Sequence, residues 1–448
     1  MNQTLYNILK RILLIPILGS SVCIFLVLPS TAQTLIRDAE IEEVIGDIAM
    51  PIFKSAGLDP NFVKIHILLD DEINAFVAKG QRVFLNVGLI LSVKTPEQLL
   101  GVIAHETAHI SGGHLAKTQE ALKLANAKAI AGLLMGAATI AAGGNMGGVA
   151  ILGGQQIGRN SLLSYSRNQE VIADILAVNL MDKAGYSGKG LIEFLEILAH
   201  QENLIGTKKD PYSRTHPLFP ERLEKIKNSV ESLPNFNKNL DKETRKKFWR
   251  AQSKLFGYIK THDEVLEKYP LINDELPSKY ARAVNYNKYG QLENSLKEIS
   301  SLLKLHPNDP FFHEFLGQTL LENGQIYKSI DSYKIAKDLK PNQPQILCGL
   351  ASAQVATGKL DLLPEAIKNL QMAVSKENDF IEAWRMLAIA HGRNGEIGLS
   401  SLASAEQHML LNNYSDSLRF ANQSISLLKK NTPGWLRAKD IELILTQN

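Results

Sequence analysis

Gly290, Gly324 and Gly358 fall 34 residues apart, and so do Pro307 and Pro341, which sit in the similar phrases HPNDP and KPNQP. A fixed period of that length leaves few folds open. One such unit is too short to bury a hydrophobic face alone, so neighbouring units must stack and share a core. Glycine between two helical stretches and proline after the second is the tetratricopeptide pattern, in which each unit is a helix pair. Trp384, Gly395 and the run HMLLNNYSDSLRFANQSISLL continue the theme at less regular spacing, which predicts roughly four to five pairs. Repeats of this kind build an all-α superhelix that binds extended or helical peptide and carries no chemistry of its own.

Chemistry must therefore lie upstream. The polar stretch from about Ser232 to Lys247, with Pro234 and several Asn and Lys, marks a boundary between a domain at 33–235 and the repeat domain at 236–448. With 448 residues, 45% of them hydrophobic and 21% charged, the chain can form a proper core in each. The net charge is +3, and the first 32 residues hold Lys10 and Arg11 but no acid, so the remainder carries +1. Near-neutrality argues against a nucleic-acid partner, which would want a basic stripe. Residues 1–32 read as an export signal: Lys10-Arg11, an apolar core from Ile12 to Leu28, then Ser30 and Ala32 as the small residues before a cut at Gln33. An uncleaved anchor is the other reading of that core. Cys23 lies within it, so after cleavage only Cys348 remains and an internal disulfide is excluded.

From the predicted mature end, Asp38 to Ser55 carries Ile41, Val44, Ile45, Ile48 and Ile52 at helical spacing, with Asp38, Glu40, Glu42 and Glu43 in the first turns where the helix dipole favours acids. Val63 to Leu69 alternates as a strand, and His66 within it reads as a structural residue. Asn74 to Ala78 and Gln81 to Val87 flank Lys79-Gly80 as a hairpin, whose second strand is expected to pair with an extended substrate. Thr95-Pro96-Glu97-Gln98 reads as a helix start with Thr95 as cap and Gln98 closing a capping box, and the helix runs to about Ile110. Residues 129–158 carry no charge and nine glycines. Gly143-Gly144, Gly147-Gly148 and Gly153-Gly154 break the apolar run, which favours two small-residue helices or a flap over a membrane span, with peripheral membrane contact as a further reading. Arg167 to Tyr186 and Gly190 to Glu202 are two more helices, the second bearing a surface His200.

His105-Glu106-Thr107-Ala108-His109 is the reactive stretch. Histidines four apart stand one above the other on a helix, so both imidazoles reach one ion, and Glu106 beside them can take a proton from the attacking water and pass it to a leaving amine. A catalytic zinc site takes three protein ligands. His114 gives HETAHISGGH but falls one residue short of the HExxHxxGxxH spacing, where Leu115 stands instead. Glu170 is favoured as the third ligand, with Asp174 one turn on accepting a hydrogen bond from a ligand imidazole. Val171, Ile172 and Ile175 flank these acids and are expected to be buried, which argues against a solvated acidic face.

NAFVAKGQRVFLNVGLI, EQLLGVIAHETAHISGGH, SRNQEVIADILAVNLMDKAGY and THPLFPER, in that order, resemble the zinc metallopeptidase family that includes HtpX and the CAAX prenyl endopeptidases. With an export signal and C-terminal repeats, the chain is similar to the BepA-like periplasmic members of that family. The resemblance implies His105 and His109 as zinc ligands, Glu106 as base, Glu170 as third ligand and Asp174 as the residue behind a ligand, from the family's HExxH and ExEAD motifs. Ile172 replaces the middle acid of ExEAD and Ala177 a frequent glycine, neither of them a ligand. His114 matches a position often histidine in the family, without an assigned role. The resemblance also puts the THP-x-x-x-R segment near the metal, so that His216 either stabilises the oxyanion or occupies the fourth zinc position, with Arg222 beside it.

The expectation is thus an α+β zincin-like metallopeptidase domain of the gluzincin type, mostly helical with a small sheet, followed by an all-α tetratricopeptide superhelix. Its function is expected to be exported, zinc-dependent endopeptidase cleavage of unfolded or misassembled envelope proteins in the periplasm, with one Zn2+ per chain. The resemblance implies docking of the repeats on the outer-membrane assembly machinery. The rival reading is a chaperone or assembly module whose protease site is mostly self-blocked, and a weaker one is a membrane protease anchored by residues 129–158.

Overall fold

A computed structural model describes residues 34–78, 80–114, 123, 167–205, 212, 215–218 and 220–447 of the protein. The export signal expected at 1–32 and the glycine-rich stretch 129–158 lie outside the described residues. Strands β1 (Leu35–Ile36), β2 (Lys64–Leu68), β3 (Ala75–Ala78) and β4 (Arg82–Asn86) form one sheet in the order β1-β2-β4-β3. The hairpin forms as its turn predicts, with Ala75 opposite Leu85 and Ala78 opposite Arg82. Strand β4 is nevertheless not open to a substrate strand. Its other edge pairs in parallel with β2, from Lys64 opposite Arg82 to Leu68 opposite Asn86, so both of its hydrogen-bonding edges are used. The outer edge of the sheet on this side belongs to β3.

Helix α1 (Ala39–Ser55) begins where Asp38 accepts hydrogen bonds from the Glu40 and Ile41 amides, and it buries Ile41, Val44, Ile45, Ile48 and Ile52 as its spacing requires. Helix α2 (Val87–Ser92) follows β4 directly, and α3 (Pro96–Ser111) carries HETAH. Pro96 takes the first helical position, but the expected capping box does not form: Thr95 makes no side-chain cap bond, and the Gln98 side chain accepts from the Lys94 amide instead, at 2.7 Å. Leu99, Leu100, Val102 and Ile103 are wholly buried, contributing roughly 1.5–3 kcal/mol each. Residues 167–183 form α4, followed by α5 (Lys189–Ile205) and α6 (Pro220–Glu231). Helices α3 and α5 touch backbone to backbone. A Cβ at Gly101 would lie 2.6 Å from the Leu191 Cα, and one at Gly190 would lie 2.0 Å from the Glu97 carbonyl oxygen. Only glycine allows that approach.

Helices α7 (Lys242–Ile259) and α8 (His262–Lys268) lead into five helix pairs. These are α9–α10 (Leu276–Lys288, Leu292–Leu305), α11–α12 (Pro310–Glu322, Ile326–Leu339), α13–α14 (Pro344–Ala356, Leu363–Lys376), α15–α16 (Ile381–Arg393, Ile397–Leu410) and α17–α18 (Tyr414–Leu427, Pro433–Thr446). The between-helix glycines Gly290, Gly324 and Gly358 adopt φ of +70°, +73° and +72°, which fixes the residue type at the turn. The period slips to 37 residues between Gly358 and Gly395 because a 3-10 turn, Leu360–Leu362, is inserted before α14.

From Leu35 onward the chain packs as one unit. Phe248, Ala251 and Leu255 of α7 belong to the same hydrophobic cluster as α1 and α3. The start of α1 and the residues just before it meet the repeats: Arg37 bonds Glu377 at 2.6 Å, Lys340 bonds Glu43 at 2.8 Å, and the Tyr280 hydroxyl donates to Glu40 at 2.7 Å. Buried Lys254 lies 2.7 Å from Asp38 and 3.6 Å from both Glu40 and Glu314, while Arg250 pairs with Glu40 and, at 2.8 Å, with Asp309.

Candidate metal centre

The two histidines of α3 point their Nε2 atoms at one spot, 3.0 Å apart. Glu170 of α4 adds a carboxylate there, its Oε2 lying 3.3 Å from His105 Nε2 and its Oε1 3.4 Å from His109 Nε2. His216 brings Nδ1 to 3.2 Å from His105 Nε2 and 3.1 Å from Glu170 Oε2. One donor atom from each of these four buried residues falls within a 4.8 Å span.

The Nδ1 side of both α3 histidines is also occupied. His105 Nδ1 lies 2.8 Å from Asp174 Oδ1, and His109 Nδ1 lies 2.9 Å from His114 Nδ1. Asp174 is held in turn by Arg222, through Nε at 2.5 Å and Nη2 at 2.9 Å. The same guanidinium reaches Glu170 Oε2 at 3.2 Å and donates to the His216 carbonyl at 3.1 Å, so one buried cation ties both α4 acids to the His216 segment.

These acids are inward-facing, and their flanks are not. Glu170 and Asp174 are 3% and 0% exposed, whereas Ile172 is 55% and Ile175 37% exposed and Val171 is half-buried, so the expectation that these flanks are buried is corrected. A helix places residues four apart on one face and the residues between them on another; the charged network claimed the inner face here.

Electrostatics favour a positive charge at the convergence point. Burial would raise the Glu170 carboxyl, but His216, His105 and His109 hold it well below the usual carboxylate range. Burial likewise opposes ionisation of Asp174, and Arg222 and His105 overcome it and keep its carboxyl low. At His105 burial is outweighed by Asp174 and Glu170, which hold the imidazole up to about 9, whereas His109 is pushed down by burial. The two Nε2 atoms stand 3.0 Å apart, a spacing that either a shared proton or a bound cation between them satisfies. Donors about 2.0–2.1 Å from a tetrahedral ion stand ~3.3 Å from one another. The observed separations of 3.0–3.4 Å fit such a shell.

Glu106 is wholly buried beside this cluster without belonging to it. Neither carboxylate oxygen has a hydrogen-bond partner among the described residues, and His216 Nε2 lies 3.4 Å from Oε1. A buried carboxylate in that condition is expensive unless a reacting proton is its partner. Tyr212, also wholly buried, stacks on His216 with ring centroids 4.6 Å apart. Reading the chain alone missed it, although an aromatic four residues before the histidine was the available signal. His66 sits in the sheet against Phe84, and His200 is exposed, both away from the cluster.

Two histidines on a buried helix, a glutamate from a second helix and a carboxylate beside them with no hydrogen-bond partner among the described residues define a metallopeptidase centre that takes a divalent ion. Residues 35–230 match the model of Peptidase family M48. The protein is similar to the Beta-barrel assembly-enhancing protease of Escherichia coli (strain K12), with 23% identity over 403 residues covering 88% of this chain and 81% of the relative. It is also similar to the Putative beta-barrel assembly-enhancing protease of Vibrio cholerae, with 25% identity over 408 residues covering 89% and 82%. Among solved structures, a thermophilic TPR protein of Thermus thermophilus overlaps 36% of this chain and 95% of its own at 17% identity, with a TM-score of 0.25 that is too low to bear on the fold. No helix among the described residues is long and apolar enough to cross a membrane.

Proposed function

We propose that the protein is an exported zinc endopeptidase of the bacterial envelope, acting in the periplasm on unfolded or misassembled outer-membrane proteins, with its site closed at rest by His216. The observation that carries the reading is the convergence of His105, His109, Glu170 and His216 donors beside unpartnered Glu106. Nitrogen and oxygen donors at tetrahedral spacing suit zinc, and the export signal expected at residues 1–32 suits the periplasm. The substrate class follows from the names of the two relatives, which match most of this chain.

When bound, zinc supplies Lewis acidity, lowering the pKa of water and polarising the scissile carbonyl. His105, His109 and Glu170 hold it, with Asp174 and Arg222 fixing their orientation. Glu106 takes the proton of the attacking water and delivers it to the leaving amine. The edge of β3, unpaired among the described residues, binds the substrate as an added strand, the part first expected of Gln81 to Val87; that mode suits unfolded chains because only they offer unpaired backbone. The repeats bring substrate in or dock on the outer-membrane assembly machinery.

The Nδ1 of His216 stands at the fourth corner of the donor set while its Nε2 faces Glu106, so this residue occupies the place that water needs. That favours blocking over oxyanion stabilisation and leaves room for the rival reading, an assembly factor whose protease is mostly silent. Zinc content and casein cleavage of the purified protein, beside Glu106→Gln and His216→Ala, test the reading. Glu106→Gln is expected to keep zinc and lose cleavage by at least about 100-fold, and His216→Ala to keep zinc and cleave faster. Full cleavage by Glu106→Gln would sink the mechanism, and loss of cleavage in His216→Ala with zinc retained would sink the blocking role.

A further inference from the structure

The segment after HETAH ends in two glycines and a histidine, and none of the three is placed at random. Gly112 closes α3 with an ordinary φ of −74°, its amide bonded to the Ala108 carbonyl at 2.8 Å. Gly113 then turns the chain with φ of +65°. His114 is thereby folded back over the end of its own helix, 4% exposed, with its imidazole edge-on to that of His109 at 4.9 Å between centroids. A Cβ at position 112 would stand 2.6 Å from His114 Nε2 and 2.9 Å from its Cδ2. Glycine at 112 is therefore the space in which the His114 ring lies.

The contact this makes is the 2.9 Å approach of His114 Nδ1 to His109 Nδ1. Two imidazole nitrogens at that distance share one proton, so one is an N–H and the other a lone pair. Where His109 offers its Nε2 lone pair to an ion, its proton must sit on Nδ1, which then donates to His114; a neutral His114 keeps its own proton on Nε2. We infer that His114 is a positioning residue for the metal: it fixes the tautomer and ring angle of His109 as Asp174 does for His105. It is not a ligand, because its nearer nitrogen is spent on the far side of His109 and it contributes no atom to the converging cluster. The inference rests on the metal reading above and adds a function for the HISGGH turn.

The test is Zn2+ affinity of the full protein, stripped with a chelator and titrated back against a competing chelator, together with the Tm of the metal-free and Zn2+-loaded forms. His114→Ala and His114→Gln are expected to bind Zn2+ 10–100-fold more weakly, the loss typical of an outer hydrogen-bond partner, and to lose part of the Zn2+-induced rise in Tm. His114→Asn is expected to stay near wild type, because its Oδ1 stands where Nδ1 stood and accepts the same proton, whereas the Gln oxygen lies one bond too far. Substituting Co2+ should give the same four-coordinate spectrum in His114→Ala as in the wild type. Equal Zn2+ affinity in His114→Ala and wild type, with Tm lowered alike in both forms, would mean that His114 only packs, and an Asn variant as weak as the Ala variant would overturn the acceptor role. Should His114→Ala fail to fold, the comparison of Asn with Gln decides. A wild-type protein that takes up no Zn2+ at all overturns the metal reading itself, and this inference with it.

Discussion

At the scale of single residues, His105 and His109 present the same atom to the cluster but stand on unequal supports. Behind His105 is the carboxylate of Asp174, held low by Arg222, and behind His109 is an imidazole. An anionic acceptor raises ligand basicity more than a neutral one, so His105 is the stronger donor of the pair. Asp174→Asn keeps an oxygen for His105 but removes the charge that Arg222 neutralises. Breaking a buried ion pair from one side costs about 3–5 kcal/mol, of which the remaining contact of Arg222 with Glu170 recovers a part. Urea unfolding of the metal-free protein should show the variant destabilised by at least about 2 kcal/mol, with Zn2+ affinity down roughly tenfold. Unchanged unfolding would mean that Arg222 is satisfied by Glu170 and the His216 carbonyl alone. That His105 shares a face with His109, and Glu170 with Asp174, was legible in the sequence because helical spacing stacks residues four apart, and the resemblance implied that the two faces meet with Glu106 beside them. The exposure of Ile172 and Ile175 was not: the same spacing states which residues share a face, and only the tertiary network decides which face turns inward. His114 was illegible as a role because it acts through a turn, where no period carries information, and Tyr212 because its four-residue offset from His216 states a shared face without stating what the pair does.

At the scale of elements, α3 is placed by what flanks it more than by its cap. Thr95 makes no cap bond, but Glu97, the second residue of the helix, accepts from the Leu240 amide at 3.0 Å and from Arg245 Nε at 3.0 Å, and Trp249 donates to the Lys94 carbonyl at 3.2 Å. The start of the catalytic helix is thus pinned by α7, which the polar composition of 232–247 gave no reason to expect. Helix periods and the hairpin turn were readable, whereas the parallel pairing of β2 with β4 was not, since a crossover of that kind leaves no local pattern. The other side of α3 rests on α5 through Gly190. In Gly190→Ala the new Cβ meets the Glu97 carbonyl oxygen at 2.0 Å, backbone against backbone, with no side chain to swing away. We expect a loss of about 3 kcal/mol or more and, because α3 must shift, a fall in casein cleavage even where the protein remains folded. Circular dichroism melting paired with the cleavage assay checks both, and an alanine variant with wild-type Tm would show that the two helices separate at little cost.

At the scale of the whole molecule, the joint between α1 and the repeats holds a surplus of acid. Among the described residues, the cations paired with Asp38, Glu40, Asp309 and Glu314 are Lys254 and Arg250, with Tyr258, Tyr280 and Tyr333 closing the surroundings. Four carboxylates against two cations in a buried site cannot all ionise cheaply. Glu314 carries the consequence: burial pushes its carboxyl up to about 7, the charges of Asp38 and Glu40 push the same way, and Lys254 opposes them. An acid whose folded value exceeds its unfolded value of 4.5 binds more protons folded than unfolded. Its contribution to stability is therefore complete below about pH 4.5 and is lost as pH rises through about 7, up to about 3 kcal/mol in all. Glu314→Gln imitates the protonated carboxyl and cannot ionise. Urea midpoints at pH 5.5 and 8 should fall with pH for the wild type and fall less for the variant, which at pH 8 becomes the more stable of the two. Equal slopes in both proteins would mean that Lys254 keeps Glu314 ionised throughout, and the joint would then be held by its ion pairs with no proton stored in it.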